Sequence, residues 1–224
     1  MELEIIARVH TDFPTKFGLP RQAGLAALPA EIVFEPPFRD ASCIRGIGDW
    51  SHLWLIWQFD RAVASGWAPT VAPPKLGGKE RVGVFATRSP FRPNFMGLSC
   101  VRLEQVEEHT PRGPVLHVSG ADLADGTPIL DIKPYLPYAD SVPGAADAFA
   151  DKRRGGLLQV DFPAQWLEMI PEDKRAALLQ VLALDARPGY QDDPARRYGF
   201  PYAGFDVRFT VAEGRLTVVE VVRL

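Results

Sequence analysis

Prolines and glycines interrupt this chain so often that no long helix fits before residue 140. The sequence has 224 residues, of which 21 are Pro and 19 are Gly. Proline fixes φ and lacks a backbone N–H, so it is disfavoured inside helices and in central strands. The runs left between these residues are short and rich in aromatic and β-branched side chains, which is typical of strands.

The short apolar runs of the first 140 residues predict strands. They lie at residues 3–9, 31–34, 53–59, 81–86, 99–106, 115–119 and 129–132. The run LWLIWQF at 53–59 is continuously apolar, which predicts a strand buried on both faces. Short strands with turns between them favour a β-barrel or a β-sandwich.

A change of composition marks a second domain. Residues 140–156 are rich in Ala, Gly and Asp and carry a basic triplet at 152–154, which is typical of a linker or an exposed loop. We therefore expect one domain at residues 1–145 and a second at 157–224. The second unit, of about 70 residues, is near the lower limit for independent stability, so it should pack on the barrel or on another subunit.

Local signals predict a small α+β fold for this second domain. Residues 157–162 have the pattern of a strand. Pro171 followed by Glu172 and Asp173 predicts a helix start, because proline suits the first turn and acids suit the positive end of the helix dipole. The alternating runs at 205–211 and 216–222 predict a hairpin.

Charge and motif content exclude several classes of protein. The net charge is −3, so an RNA partner would have to be bound by local basic patches. Two cysteines give neither a disulfide framework nor a zinc site. The amino terminus does not resemble a signal peptide and no apolar run could span a membrane, so we expect a cytoplasmic protein. GxSxG, Walker, GxGxxG and HExxH motifs do not occur.

Three segments have the composition of binding loops. In Leu19–Gly24 (LPRQAG), Arg and Gln offer planar donors and glycine permits close backbone approach, although a solvated turn has the same composition. Residues 83–99 (GVFATRSPFRPNFMGLS) place Arg88 and Arg92 on a loop stiffened by prolines, suited either to an anionic ligand or to structural bonds with loop carbonyls.

The third segment, residues 120–141, combines acids with aromatic side chains. Asp122 and Asp125 could accept hydrogen bonds from a ribose diol, whereas Asp-x-x-Asp alone is weak support for a metal, and we predict none. Asp125 could equally serve only the Asp-Gly-Thr turn. Lys133, Tyr135 and Tyr138 are side chains that contact phosphate and stack on unpaired bases in RNA-binding proteins.

These segments resemble the TsaA-like family of tRNA (adenine-N6)-methyltransferases. The matching stretches are PRQAG, SHLWLIWQF, APTVAPPKLGG, GVFATRSPFRPNFMGLS, DLADGTPILDIKPYLPYADS and DARPGY, in that order along the chain. The resemblance implies a mainly β fold, with a single-sheeted small barrel and a small carboxy-terminal α+β domain. It also implies a homodimer that binds S-adenosylmethionine near the subunit interface and methylates N6 of N6-threonylcarbamoyladenosine at position 37 of tRNA.

The resemblance assigns cofactor contacts to residues from several segments. They are Arg21, Gln22, Ala23, Gly24, Phe59, Asp60, Arg88, Leu98, Asp122, Leu123, Ala124 and Asp125. Arg88 would pair with the cofactor carboxylate, and Asp122 or Asp125 with the ribose.

The substrate is expected to meet a separate set of side chains. Asp131, Lys133 and Tyr135 are candidates for orienting the accepting nitrogen or moving its proton. For the anticodon stem-loop of tRNA, basic and aromatic residues suited to phosphate and base contacts are Arg92, Lys152, Arg153, Arg154, Tyr190 and Arg197.

Two alternatives remain open from the sequence. A barrel of this kind could bind a ligand or RNA without catalysis. It could also methylate a different nucleoside or a small molecule.

Overall fold

The structure is a computed structural model that describes residues 2–73, 80–146, 156–187 and 193–224. Its strands are β1 (Ala7–His10), β2 (Pro29–Phe34), β3 (His52–Gln58), β4 (Thr70–Val71), β5 (Val82–Gly83), β6 (Met96–Glu107), β7 (Val115–Ser119), β8 (Pro128–Pro134), β9 (Gln159–Asp161), β10 (Tyr198–Tyr202), β11 (Phe205–Ala212) and β12 (Arg215–Arg223). Its α-helices are α1 (Pro137–Asp140), α2 (Ala164–Leu167) and α3 (Glu172–Ala183).

Six strands close into one antiparallel barrel in the order β1-β2-β7-β6-β3-β8, with β8 pairing back to β1. Side chains such as Ile32, Leu53, Leu55 and Leu116 fill the interior and are fully buried. Closure leaves none of the six strands with an unpaired edge. The predicted single-sheeted barrel with a carboxy-terminal α+β domain is confirmed.

Two of the strands predicted for the barrel region differ from the prediction: the strand at 53–59 forms but is not buried on both faces, and the strand at 81–86 forms only in part. Residues 52–58 alternate between buried and half-buried positions, because a barrel strand turns only one face to the interior. Of the strand expected at 81–86, only Val82–Gly83 forms. Val84–Ala86 is a 3₁₀ turn, since the Val84 N–H bonds to the Pro69 carbonyl and the chain bends away.

Three long connections leave the same end of the barrel. We call this end the upper rim: β1, β3 and β7 finish there, and β2, β6 and β8 begin there. Loop A (residues 11–28), loop B (residues 59–95) and loop C (residues 120–127) join these strands. The antiparallel order therefore brings to one rim the segments that the sequence singled out separately.

The second domain is a four-stranded sheet, β10-β11-β12-β9, in which β9 pairs parallel to β12. The predicted hairpin is confirmed as β11 and β12, and the predicted helix as α3, which starts directly after Pro171. Leu178, Val181 and Leu182 are buried, as expected for residues three and four positions apart on one face of a helix. The sequence YGFPY of β10 was not predicted as a strand, because its Gly and Pro are disfavoured in strands.

Loop A contributes side chains to the core of the second domain. Phe13, Ala26 and Leu28 are buried in the same cluster as the residues of α3 and of the carboxy-terminal sheet. The Phe13 ring lies 4.9 Å from that of Tyr202. A segment that precedes β2 thus completes a core built mainly from residues beyond 157.

We predict that Gly97→Ala destabilises the barrel at the upper rim. Gly97 pairs with Trp57, and a Cβ at position 97 would overlap the buried Trp57 indole. Overpacking of this kind costs about 1–3 kcal/mol, which urea denaturation would measure. In the matched control Gly83→Ala, nothing lies within 4 Å of the added Cβ and φ is −58. Equal stability of the two variants would contradict the account.

Candidate functional site

Glycines allow loops A and C to touch through their backbones. The Gly24 N–H donates to the Gly120 carbonyl at 2.9 Å. Gly120 has φ +87, and a Cβ there would lie 3.3 Å from the Gly24 Cα. A side chain at Gly120 would press on the Gly24 backbone, and the positive φ of Gly120 also favours glycine there, so Gly120 suits the close approach.

Asp122 lies where these two loops meet the barrel wall. Ser99 Oγ donates to Asp122 Oδ1 at 2.6 Å, and Trp57 Nε1 donates to Ser99 Oγ at 3.0 Å. The Ala23 backbone N–H of loop A faces the Asp122 carboxylate and lowers its pKa slightly. The carboxylate therefore joins loops A and C to strands β3 and β6.

Burial raises the pKa of the Asp122 carboxyl above its ordinary value. The bond from Ser99, the backbone N–H of Ala23 and the charge of Arg88 oppose that shift by stabilising the ionised form, but desolvation is the larger effect. An acid with a raised pKa beside an exposed cation, on a rim where three loops meet, is a candidate for a binding site.

Arg88 connects loop B to loop A. Its guanidinium donates to Gln22 Oε1, and the Gln22 amide donates to the Arg21 carbonyl. The contact between Arg88 and Gln22 is exposed to solvent. Gln22, Arg88 and Asp122 thus line one rim site from three separate loops.

Other residues of loop C bond to the start of loop A and to the turn of loop C. Asp125 Oδ1 accepts the Thr11 N–H at 3.1 Å and lies 3.3 Å from His10 Nδ1. Leu123 and Ala124 are buried, and their carbonyls accept the hydroxyls of Thr11 and Thr127. Of the two acids, Asp122 is therefore the one that bonds to the barrel wall through Ser99, whereas Asp125 bonds to the start of loop A.

Phe59, Asp60 and Leu98 lie at the same rim. The Phe59 ring is 4.2 Å from that of Trp57, and its N–H donates to the Phe95 carbonyl. Asp60 begins the 3₁₀ helix Asp60–Ser65 and is exposed. Leu98 precedes Ser99 in β6 and is 53% exposed, which offers an apolar surface beside the polar network.

The three candidate catalytic residues run along β8 away from this rim. Asp131 pairs with Ile56, which pairs in turn with Leu98, and Lys133 Nζ lies 2.9 Å from Asp131 Oδ2. The Tyr135 N–H bonds to the His52 carbonyl, at the start of β3. Since a strand rises about 3.3 Å per residue, Tyr135 is roughly 17 Å along the barrel from Trp57.

The candidate RNA-binding residues are divided. Arg92 donates to the carbonyls of Val84 and Thr87, at 3.3 and 2.7 Å, and so holds loop B together. Arg197 is exposed just before β10. Lys152, Arg153, Arg154 and Tyr190 lie outside the described residues.

Sequence reasoning missed three residues that shape this site. Ser99 and Trp57 are buried in strands and hold the Asp122 carboxylate, while Arg61 donates to the carbonyls of Pro14 and Asp125 and so ties loop A to loop C. A polar Ser99 at an inward position of β6 is the only one of these with a local signal, and it needs the strand register to be recognised.

Two family models match the chain. The tRNA-methyltransferase O N-terminal domain matches residues 8–141, and the TrmO C-terminal domain matches residues 157–224. The chain belongs to the TrmO family.

Curated and structural relatives of the family agree with this. The chain is 38% identical to the tRNA (adenine(37)-N6)-methyltransferase of Escherichia coli K12, covering 97% of this chain and 96% of the relative. A crystal structure of TrmO superposes with a TM-score of 0.82 at 33% identity, covering 99% of each chain. TrmO from Pseudomonas aeruginosa gives 0.80 at 34% identity, covering 100% of this chain and 97% of that one.

No helix in residues 2–73, 80–146, 156–187 or 193–224 has the length and hydropathy to cross a membrane. Within the same ranges, no three His, Cys, Asp or Glu side chains are grouped so that they could hold a metal ion.

We predict that Asp122→Asn stabilises the protein more as the pH rises. Because burial raises the pKa of Asp122 above 3.8, the native state holds this proton more tightly than the unfolded state. The wild-type protein therefore loses stability as the pH rises from 3.8 through the folded pKa. Asparagine does not ionise and keeps an acceptor for Ser99. Thermal unfolding of both proteins across this range should show the Tm of Asp122→Asn rising relative to that of the wild-type protein. A relative Tm that stays constant or falls with pH would refute the prediction.

Proposed function

We propose that this chain transfers a methyl group from S-adenosylmethionine to N6 of N6-threonylcarbamoyladenosine at position 37 of tRNA, binding the anticodon stem-loop in the cytoplasm. The observation that carries the proposal is the meeting of Gln22, Arg88 and Asp122 from three loops at one rim of a TrmO-family barrel. Relatives are named as S-adenosylmethionine-dependent methyltransferases and as an S-adenosylmethionine-binding protein, the latter from Pyrococcus abyssi.

The side chains at the rim fit the chemical groups of this cofactor. A carboxylate needs a cation, which Arg88 offers on an exposed loop. A ribose diol needs an acceptor, which Asp122 offers. An adenine ring and a methionine chain need apolar surfaces, which Phe59 and Leu98 provide. When bound, S-adenosylmethionine supplies a methyl group activated by a sulfonium charge.

The residues of the chain act mainly by alignment. The bonds from Trp57 to Ser99 and from Ser99 to Asp122 fix the orientation of that carboxylate before a ligand arrives. The Gln22 amide oxygen accepts a hydrogen bond from Arg88. An anionic ligand is a stronger acceptor and would replace Gln22 as the partner of Arg88. Groups that are held in place before the ligand binds lower the entropic cost of reaching the transition state.

Asp131 is the candidate best placed to receive a proton from the accepting nitrogen. It shares the outer face of the barrel with Leu98, separated from it by one strand, and Lys133 lies against its carboxylate. The ureido nitrogen of the proposed substrate is a poor nucleophile, so removal of its proton would assist attack. Tyr138, which is 87% exposed, offers a face on which an unpaired base can stack.

The decisive test is methyl transfer to tRNA. The full-length protein is incubated with S-adenosylmethionine and unmethylated tRNA that carries threonylcarbamoyladenosine, and the nucleosides are analysed by mass. We expect one added methyl group on that nucleoside. Cofactor binding without transfer would indicate a non-catalytic barrel, and methylation of another nucleoside or of a small molecule would reject the assigned substrate.

The position of Tyr135 supports a homodimer. Within one chain it lies at the end of the barrel opposite to the upper rim, roughly 17 Å from Trp57 along the strands. A second copy could place its Tyr135 against the three loops of the first. The exposed Val142 and Tyr138 next to it offer apolar surface for such a contact.

Mixing two variants, each impaired on its own, tests this arrangement. Arg88→Ala removes the proposed carboxylate contact, worth about 1.5–3 kcal/mol, and Tyr135→Phe removes a hydroxyl. If Tyr135 serves the partner's site, co-refolding equal amounts should restore about a quarter of wild-type activity, since half of the dimers are mixed and each has one intact site. Each variant refolded alone is the control. A monomer in solution would contradict the homodimer, and a mixture no more active than its parts would contradict the assignment of Tyr135 to the partner's site.

A further inference from the structure

Arg21 does not point towards the rim site. Its guanidinium donates to the main-chain carbonyls of Arg187, at 2.7 Å, and of Asp185, at 3.4 Å. Both carbonyls lie just beyond α3, which ends at Ala183. The carboxyl end of a helix carries partial negative charge, so a cation is favourable there.

The end of α3 is shaped to receive this contact. Asp185 has φ +53, the left-handed conformation that commonly ends a helix, and its N–H bonds back to the Leu182 carbonyl. The Asp185 carboxylate is occupied by the side chain of Arg187, at 2.9 and 3.0 Å. The Asp185 main-chain carbonyl remains directed to loop A and accepts from Arg21.

Other contacts fix loop A to the same domain on both sides of Arg21. Asp12 Oδ2 lies 2.7 Å from Lys174 Nζ, and the Ala27 N–H donates to Gln180 Oε1 at 2.8 Å. A Cβ on Gly18 would lie 2.6 Å from the Phe200 ring. These contacts hold loop A before and after Arg21, and Arg21 holds the residue that directly precedes Gln22 and Ala23.

We propose that Arg21 is a positioning residue, which uses the carboxyl end of α3 to hold Gln22 and Ala23 in the cofactor site. The second domain thereby sets the geometry of a site built on the first. This inference rests on the proposed cofactor site, but its mechanical part does not need the cofactor.

Two readouts on the full-length protein test the inference. Hydrogen exchange of the backbone amides of residues 22–24, without ligand, reports whether loop A is held. Calorimetry with S-adenosylmethionine reports affinity. We expect Arg21→Ala and Gln180→Ala each to accelerate exchange at 22–24 and to weaken binding roughly three- to tenfold, the scale of one lost hydrogen bond.

Two control variants separate positioning from other effects. Gln180→Glu keeps an acceptor for the Ala27 N–H and should retain wild-type exchange and affinity. Arg215→Ala removes the same charge from the second domain, where Arg215 bonds to Gln159 rather than to loop A, and should change neither readout. Thermal unfolding of all variants confirms that they remain folded.

The outcomes separate this inference from the proposed function. Unchanged exchange and affinity in both alanine variants would overturn it. So would weaker binding in Arg21→Ala with unchanged exchange and a silent Gln180→Ala, because Arg21 would then contact the cofactor directly. If the wild-type protein does not bind S-adenosylmethionine, the proposed function fails, and the exchange data alone decide whether the second domain holds residues 22–24.

Discussion

Closure of the antiparallel barrel is the constraint on which the rest of the structure depends. Six strands that alternate in direction must return their connections alternately to two ends, and loops A, B and C all fall at the same one. A rim assembled in this way gathers residues that are far apart in the sequence, such as Thr11 and Asp125, which are 114 positions apart. The barrel wall then supplies the rigid support, because Trp57 and Ser99 are held by strand pairing and hold Asp122 in turn.

The second domain extends this logic to a loop that the barrel cannot hold alone. Loop A is long and broken by Pro and Gly, and loops of this length need packing to be ordered. Phe13 and Leu28 supply that packing by entering the core of the other domain. The second domain is near the lower size limit for independent stability, and the side chains from loop A enlarge its hydrophobic core. The burial of Phe13 and Leu28 thus stabilises both partners.

Much of the fold follows from local sequence signals, and the site follows less well. Strands with clean apolar runs, such as Val115–Ser119, and the Pro171 start of α3 were predicted correctly, because their signals are local. The alternating burial of 52–58 depends on which face meets the barrel interior, and β10 depends on pairing with β11, so neither could be read from its own residues. Arg21 bonds to the Asp185 and Arg187 carbonyls beyond α3, which are 164 and 166 residues away in the sequence. No local sequence pattern indicates contacts over such a separation.

The central claim is that the three loops together form the binding site for S-adenosylmethionine. A crystal structure of the full-length protein with this cofactor, or with its demethylated product, measures that directly. We expect the ligand at the upper rim, with its carboxylate bound to Arg88 and its ribose bound to Asp122. A ligand bound elsewhere on the barrel or on the second domain, with Gln22, Arg88 and Asp122 arranged as they are here, would contradict it.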